Sequence, residues 1–230
     1  TINPIDSMIW SFPGIAHSIR VAPKAKALGI TLMTWLQPVT LRGTHVTLVP
    51  LDMSHCADLA EATKDGELWK LWYTSVPTPD KVAEEIERRC GLQKSGSMLP
   101  FTIIESATER AVGMTTYMNI DQVAKRVEIG STWYRARVQR GPMNTESKFM
   151  LLQHAFEELS CIAVEFRTHF FNRTSRQAIE RLGAKQDGVL RNHMVMADGS
   201  LRDTCSYSII QSEWPAVKTH LTYQMEKPRG

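Results

Sequence analysis

From residue 40 onward, apolar and polar positions follow the spacings of strands and helices. Short runs of alternating or continuous apolar residues, bounded by turn residues, predict strands. The strand segments are THVTLVPL (44–51), PFTIIES (100–106), VGMTTYMNI (112–120), KRVEIGSTWY (125–134), IAVEFRTHF (162–170), VLRNHMVM (189–196) and DTCSYSII (203–210). The last two flank the turn ADGS, which predicts a hairpin.

Four segments between these strands carry helix signals. Asp52 or Ser54 can cap the first helix, and Thr78 followed by Pro79 marks the start of the second. The predicted helices span residues 52–63, 78–91, 145–160 and 174–183. In the third, one apolar stripe contains Phe149, Leu152, Phe156 and Leu159. The order β-α-α-β-β-β-α-β-α-β-β predicts a mixed α/β domain.

Residues 1–32 show no clear period and contain three prolines. They lack the basic start and continuous apolar centre of a secretory signal, and their few acidic residues faintly resemble an organellar transit peptide. We interpret them as an N-terminal extension, native, processed or added upstream, with Met33 as a candidate natural start. The predicted domain is residues 33–230.

Charge and hydropathy exclude several classes of protein. The formal net charge is +3. The extension supplies +2 of it, from Arg20, Lys24 and Lys26 against Asp6, so the domain is nearly neutral. A nucleic-acid protein usually has a concentrated basic face, and no apolar run approaches the ~20 residues that span a bilayer. We therefore expect no nucleic-acid partner, no membrane association and a cytoplasmic location.

The four cysteines are scattered, with no C-x-x-C spacing. This pattern indicates free thiols in a reducing compartment and neither a disulfide framework nor a zinc site. We expect no metal.

The loop VQRGPMNTESK (138–148) joins a predicted strand to a predicted helix. Gly141 permits unusual backbone angles, Pro142 fixes one dihedral angle and removes a donor, and Asn144 and Thr145 are favoured cap residues. Backbone amides that open onto a helix N-terminus can bind an anion. An ordinary strand-to-helix turn explains the same residues.

The order of elements, with this loop, resembles the GNAT superfamily of acyl-CoA-dependent N-acetyltransferases, and most closely its branch of ribosomal-protein alanine acetyltransferases. The resemblance covers roughly residues 41–221. Its stretches are VEIGSTWY with VQRGPMNTESKFMLLQHAFEEL, FFNRTSRQAIERLGAKQDGVLRNHM, and RDTCSYSII. It implies a mostly antiparallel central sheet flanked by helices and splayed between its fourth and fifth strands, here VEIGSTWY and IAVEFRTHF.

The resemblance implies that acetyl-CoA is the co-substrate. The family's pyrophosphate loop reads Q/R-x-x-G-x-G/A, and this chain differs from it because Pro142 takes the first glycine position. The residues that would bind the pyrophosphate are Gln139, Arg140, Gly141, Met143, Asn144 and Thr145. The backbone of Thr132, Trp133 and Tyr134 would pair with the pantetheine amides.

Asn172 and Ser175 match the family pattern N-x-x-S, in which the Asn holds the pantetheine arm and the Ser protonates the departing thiolate. Both residue types are also common helix caps. Glu128 points away from Val127 and Ile129 on its strand, so that its carboxylate can accept a proton from the attacking amine or bind the substrate. A solvated or ion-paired strand glutamate is the alternative.

Trp69, Trp72 and Tyr73 form the most aromatic cluster and fall in the family's acceptor-binding wall, although core packing is the commoner role of such residues. Tyr207 is a second candidate for the general acid. The three histidines at 154, 169 and 193 share no metal-ligand spacing and are interpreted as structural.

The predicted function is acetyl transfer from acetyl-CoA to a primary amine, by direct attack in a ternary complex, in which catalysis is mostly positioning. The alternative is a non-catalytic acyl-CoA-binding module. The acceptor is a small-molecule or peptide amine, and the protein is a monomer or a homodimer.

Overall fold

Eight strands form one sheet in the order β1-β2-β3-β4-β5-β6-β8-β7. The computed structural model describes residues 35–227, so the predicted extension 1–32 lies outside the described residues. The strands are β1 (Leu41–Arg42), β2 (Val46–Pro50), β3 (Met98–Glu105), β4 (Arg110–Asp121), β5 (Arg126–Tyr134), β6 (Ala163–His169), β7 (Lys185–Val195) and β8 (Leu201–Ile210).

Every strand pair is antiparallel except β5 with β6, which is parallel. That pairing is short: its last register pair is Glu128 with Glu165, although β5 continues for six more residues and β6 for four. The two strands therefore separate beyond Glu128. This confirms the predicted splay, because β5 and β6 are the fourth and fifth strands of the sequence prediction once the two-residue β1 is set aside.

Helices cover both faces of the sheet. They are α1 (Cys56–Lys64), α2 (Val82–Lys94), α3 (Met143–Gln153), α4 (Arg173–Arg181) and α5 (Trp214–Glu226). Single 3₁₀ turns occur at Met53–His55, Leu68–Lys70, Pro79–Lys81, Ala136–Val138 and Gln211–Glu213, and α3 ends in a π-helical turn at His154–Glu158.

The two faces have separate cores. On one face Leu59 of α1 and Ile86 of α2 pack with Trp133 of β5. On the other, Leu151 of α3 packs with the larger cluster that contains Val127 and also residues of α4 and α5. The adjacent β5 residues Trp133 and Tyr134 enter different clusters because side chains alternate across a strand.

A bulge interrupts that alternation in β5. Met114 pairs with Trp133 and Thr116 pairs with Gly130, so Thr115 alone opposes two residues, Ser131 and Thr132. Ser131 has a φ of 48°, the left-handed conformation that the first residue of such a bulge adopts. The bulge lies three residues beyond the last β5–β6 pair.

Two helices differ from the sequence prediction. Helix α2 continues past Gly91 to Lys94, because Gly91 does not adopt the positive φ that ends a helix. The terminating glycine is Gly96, with a φ of 78° and its amide bonded to Gln93 O. Helix α5 was not predicted, although its buried residues Trp214, Val217 and Leu221 have helical spacing.

Candidate functional site

The loop between β5 and α3 is held by its own side chains. After the turn Ala136–Val138, the Gln139 side-chain nitrogen donates to Tyr134 O at 2.8 Å. Arg140 adopts a φ of 62°, and Pro142 is the N-cap of α3. The Gln139 side chain is thus engaged within the protein, and it fixes the loop to the end of β5.

A row of free backbone donors follows. The first amide of α3 with a backbone acceptor is that of Glu146, which donates to Pro142 O at 3.0 Å. Within residues 35–227, no acceptor is found for the amides of Arg140, Gly141, Met143, Asn144 and Thr145. Unpaired amides at a helix N-terminus carry a partial positive charge. These residues therefore fit an anionic group such as a pyrophosphate.

Glu146 fixes the start of α3 to the sheet. Its buried carboxylate accepts hydrogen bonds from the amides of Thr44, His45 and Val46 at 2.7, 2.7 and 2.9 Å. The end of α3 that carries the unpaired amides is consequently tied to the sheet by three hydrogen bonds.

Residues 132–134 of β5 lie beyond its pairing with β6. The side chains of Trp133 and Tyr134 are buried, and the Thr132 hydroxyl bonds to other side chains. Only the backbone of these residues is therefore offered to a ligand between the separated strands. An extended group with alternating amides, such as pantetheine, fits this strand edge.

The start of α4 combines a cap with a free hydroxyl. Asn172 is the N-cap, and its Oδ1 accepts a hydrogen bond from the Ser175 amide at 3.0 Å. Capping by Asn172 therefore occurs, whereas its side-chain NH₂ has no acceptor in the described part of the chain. The Ser175 hydroxyl also has no partner there and is free to donate a proton. The Tyr207 hydroxyl, by contrast, already bonds Arg176 at 3.0 Å and Glu180 at 2.8 Å.

Glu128 is the last β5 residue paired with β6, and its side chain is only 5% exposed. Its Oε2 accepts a hydrogen bond from Asn119 at 2.6 Å and lies 3.5 Å from Arg167 Nε. Burial raises the pKa of this carboxyl group, although the Asn119 hydrogen bond and the Arg167 charge oppose the shift. A carboxylate with a raised pKa is a better proton acceptor than an exposed one.

Two of the three predicted aromatic residues come together at the end of β6. The Trp72 ring contacts His169 and Phe171, with ring centroids 4.9 and 5.9 Å apart, and Tyr73 lies 5.6 Å from Trp72. Trp69 is half-buried and takes no part in these ring contacts. His169 lies on the same face of β6 as Arg167, and hence on the face of Glu128, because residues two apart share a face.

His169 itself was interpreted as structural from the sequence. Its Nδ1 accepts the Phe171 amide at 3.1 Å, and its buried Nε2 has no hydrogen-bond partner among the described residues. Burial lowers the pKa of His169, and the nearby Arg202 charge lowers it further. Next to this aromatic group, a groove of about 530 Å³ is lined by Phe170, Phe171, Val189, Arg191, Asn192, Leu201 and Asp203.

Two buried cations also reach the bulge of β5, and neither was predicted to be buried. Arg89 of α2 and Lys148 of α3 are 1% and 6% exposed. Arg89 has helical spacing with Val82 and Ile86, the other buried residues of α2, and Lys148 precedes the stripe of the third predicted helix. Their spacing was the only available signal, because both residue types are usually solvated.

Over residues 35–227, no group of three or more histidine, cysteine or acidic residues is arranged to hold a metal ion. The four cysteines are unpaired. No helix in the same range is long and apolar enough to cross a membrane.

The splayed sheet, the free amides before α3 and the capped start of α4 are the arrangement expected of an acyl-CoA-dependent acetyltransferase. The sequence model of the acetyltransferase (GNAT) domain matches residues 45–185, which is more than half of the chain. The chain belongs to this family.

Individual relatives agree. Over 106 residues the chain is 31% identical to YdaF of Bacillus subtilis, provisionally named a ribosomal N-acetyltransferase; the match covers 46% of this chain and 57% of YdaF. A GCN5-related N-acetyltransferase from Brucella melitensis has a similar structure, with 30% identity, a TM-score of 0.75, and coverage of 83% of this chain and 87% of that chain. RimJ of Mycobacterium smegmatis, solved with CoA-disulfide, shares the fold at 20% identity, a TM-score of 0.70, and coverage of 81% and 95%.

The predicted family, the N-acetyltransferase class and the mixed α/β fold are therefore confirmed. The roles of the individual site residues remain predictions.

Proposed function

We propose that this protein transfers an acetyl group from acetyl-CoA to a primary amine by direct attack in a ternary complex. The observation that supports this most strongly is the row of free amides at residues 140–145 beside the separation of β5 and β6. The first feature suits the pyrophosphate of CoA, and the second suits its acylated arm. The CoA complex of the M. smegmatis relative is consistent with this ligand.

Acetyl-CoA supplies an activated acetyl group, and two side chains, Glu128 and Ser175, each transfer one proton. Glu128 accepts the proton that the amine loses when its nitrogen bonds to the carbonyl carbon, directly or through water. Ser175 Oγ donates a proton to the sulfur that leaves. The remaining contribution is positioning, because holding two reactants in place removes much of the entropic barrier.

The acceptor would bind on the face that carries Glu128. Trp72 and Phe171 are 52% and 61% exposed and offer an apolar wall, and the adjoining groove of about 530 Å³ has room for more than a bare amine. The name of the YdaF relative, a ribosomal N-acetyltransferase, favours a protein or peptide amine, and a small-molecule amine is compatible with the same wall.

Titration calorimetry with acetyl-CoA, together with a thiol-release assay over a panel of peptide and small-molecule amines, tests the proposal. We expect binding, and release of free CoA with at least one acceptor. Asn144→Asp adds a negative charge among the free amides and should weaken binding at least tenfold, as expected for loss of contacts to a charged group. Gly91→Asp adds the same charge on the exposed surface of α2 and serves as the control.

Binding without thiol release for any amine would indicate the alternative function, a non-catalytic acyl-CoA-binding module. Absence of acetyl-CoA binding would overturn the proposal altogether.

A further inference from the structure

The bulge of β5 is a strained feature at the mouth of the separated strands. A non-glycine residue at positive φ, such as Ser131, persists only where its surroundings hold it. An extra residue also changes which backbone groups of the following segment face the open edge. Whatever fixes the bulge therefore fixes the donors and acceptors of residues 132–134.

On the α2 side, the fixing group is a guanidinium. Arg89 Nη1 donates to Thr116 Oγ1 at 2.8 Å and to the carbonyl oxygen of Ser131, the bulged residue, at 3.3 Å. Glu85 of the same helix pairs with Arg89 Nε at 2.6 Å. The buried charge is therefore compensated and its direction is set.

On the α3 side, the fixing group is an amine without a counter-charge. Lys148 Nζ lies 2.6 Å from Thr132 Oγ1 and 3.0 Å from Thr115 Oγ1, and the two hydroxyls are 2.8 Å apart. Thr115 is the residue opposite the bulge. Lys148 makes no ion pair with any acidic residue between positions 35 and 227. An uncompensated buried amine is costly, which is why its retention at this point suggests a role.

We propose that Arg89 and Lys148 are positioning residues that clamp the β5 bulge from opposite faces of the sheet and so aim the strand backbone at the thioester carbonyl. Lys148 acts through the Thr132 hydroxyl, whereas Arg89 acts on the Ser131 carbonyl directly. Neither side chain contacts the reacting atoms. This inference rests on the proposed function, because it assigns the clamped backbone to an acetyl thioester.

Comparing acetyl-CoA with CoA isolates this role, because only acetyl-CoA carries the thioester carbonyl group. Calorimetry on Lys148→Met and Thr132→Val should show acetyl-CoA binding weakened roughly tenfold, the effect of one hydrogen bond. Binding of CoA, which keeps the pyrophosphate, should change less than about threefold. The double variant should bind acetyl-CoA no more weakly than either single variant, because contacting residues are not additive.

Thr132→Ser keeps the hydroxyl and should keep the parent's ratio of acetyl-CoA affinity to CoA affinity. Lys94→Met, at the exposed end of α2, should bind both ligands like the parent. A purely structural role would lower the melting temperature and weaken both ligands equally, which would overturn the inference. Unchanged acetyl-CoA binding in Lys148→Met, or additive losses in the double variant, would overturn it too. If the parent protein itself binds no acetyl-CoA, the proposed function is overturned. If the parent binds acetyl-CoA and only the variants behave differently from expectation, the roles of Arg89 and Lys148 alone are overturned. The two failures are therefore distinguishable.

Discussion

At the scale of single residues, the helix-capping position at the start of α4 separates two roles that the sequence could not separate. Asn and Ser are both common caps, so the pattern N-x-x-S alone indicates neither chemistry nor capping. In the structure Asn172 provides the cap, and Ser175 contributes only its backbone amide. The Ser175 hydroxyl is therefore not needed for the stability of the helix.

Replacing Ser175 by alanine should therefore affect chemistry without affecting folding. We expect turnover to fall about 10²-fold, the usual contribution of a general acid, while acetyl-CoA affinity and the melting temperature stay close to those of the parent. Steady-state kinetics, calorimetry and thermal unfolding measure the three quantities. Thr174→Ala, one residue earlier and exposed, is the matched control. Unchanged turnover would remove Ser175 from the mechanism.

Glu128 is the second residue whose role the structure sharpens. Burial raises the pKa of its carboxyl group, so the ionised group binds a proton more strongly than an exposed carboxylate, and it loses the ability to accept one as the pH falls through that raised pKa. Glu128→Gln should lose most rate at pH values above that raised pKa and below the amine's own pKa of about 8 to 10, where free amine is scarce and the parent carboxylate is ionised. The measurement is the pH dependence of kcat/KM.

A buried strand carboxylate outside the site provides the control for that experiment. Glu105 is 6% exposed and is paired with Arg137. Glu105→Gln should lower stability and leave the shape of the pH profile intact. If the Glu128→Gln profile overlays that of the parent, the carboxylate does not remove the amine proton.

The two buried cations mark the limit of residue-level prediction. A lysine or arginine in a helical pattern indicates a solvated face, and its neighbours on another strand cannot be read from one sequence. Arg89 and Lys148 reach Thr116, Thr115 and Thr132 only because α2 and α3 lie on opposite faces of the folded sheet. Tertiary contacts alone reveal them.

At the scale of elements, the sequence predicted every long strand and four of the five helices, because their apolar spacing is local information. The C-terminal helix α5 was missed although its spacing was present. The bulge at Ser131 was also missed, since Ser at positive φ has no sequence signature of the kind that glycine provides. The predicted end of α2 near Gly91 was wrong, because Gly91 keeps a helical conformation and the positive φ belongs to Gly96.

At the start of α3, a proline replaces a possible hydrogen-bond donor to the pyrophosphate. Pro142 occupies the N-cap and lacks an amide where the family loop usually has one. Pro142→Gly restores a donor, and a hydrogen bond to a charged group contributes about 1.5–3 kcal/mol. The freer loop costs about 0.4–1 kcal/mol. Acetyl-CoA binding should therefore tighten a few-fold to tenfold, as measured by calorimetry.

Pro142→Ala restores the same amide with less backbone freedom, and it should tighten binding at least as much. Pro79→Gly, at the first position of a 3₁₀ turn outside the loop, should leave affinity unchanged. Weaker binding in both Pro142 variants would mean that the ring's rigidity outweighs the missing donor, or that residue 142 does not face the phosphates.

At the scale of the whole molecule, the sheet separates the two proposed binding sites, one for acetyl-CoA and one for the amine acceptor. The α3 face carries the larger core and the loop proposed to bind the pyrophosphate, and the α1/α2 face carries Glu128 and the aromatic wall. The separated strands β5 and β6 connect the two faces. A co-substrate held from one side can therefore meet an acceptor that arrives from the other.

The buried amine on the α3 face makes the stability of the whole domain depend on pH. Burial lowers the pKa of Lys148 to about 7, from 10.5 in an unfolded chain. Between these values the unfolded chain binds a proton that the folded chain does not, so stability rises with pH through the window. Below pH 7 the folded protein must also charge the amine, and the penalty is fully present.

Lys148→Met removes this dependence while keeping most of the side-chain volume. Urea unfolding at pH 6, 7, 8 and 9 measures the free energy of unfolding of both proteins. Above pH 7 the value for the parent should rise relative to that for the variant, by at most about 1.4 kcal/mol per pH unit, the limit for one proton. Lys94→Met, which removes an exposed lysine, should run parallel to the parent at every pH. If the Lys148→Met curve also runs parallel, the amine titrates normally, and a solvated lysine would have to replace the buried contacts with Thr115 and Thr132.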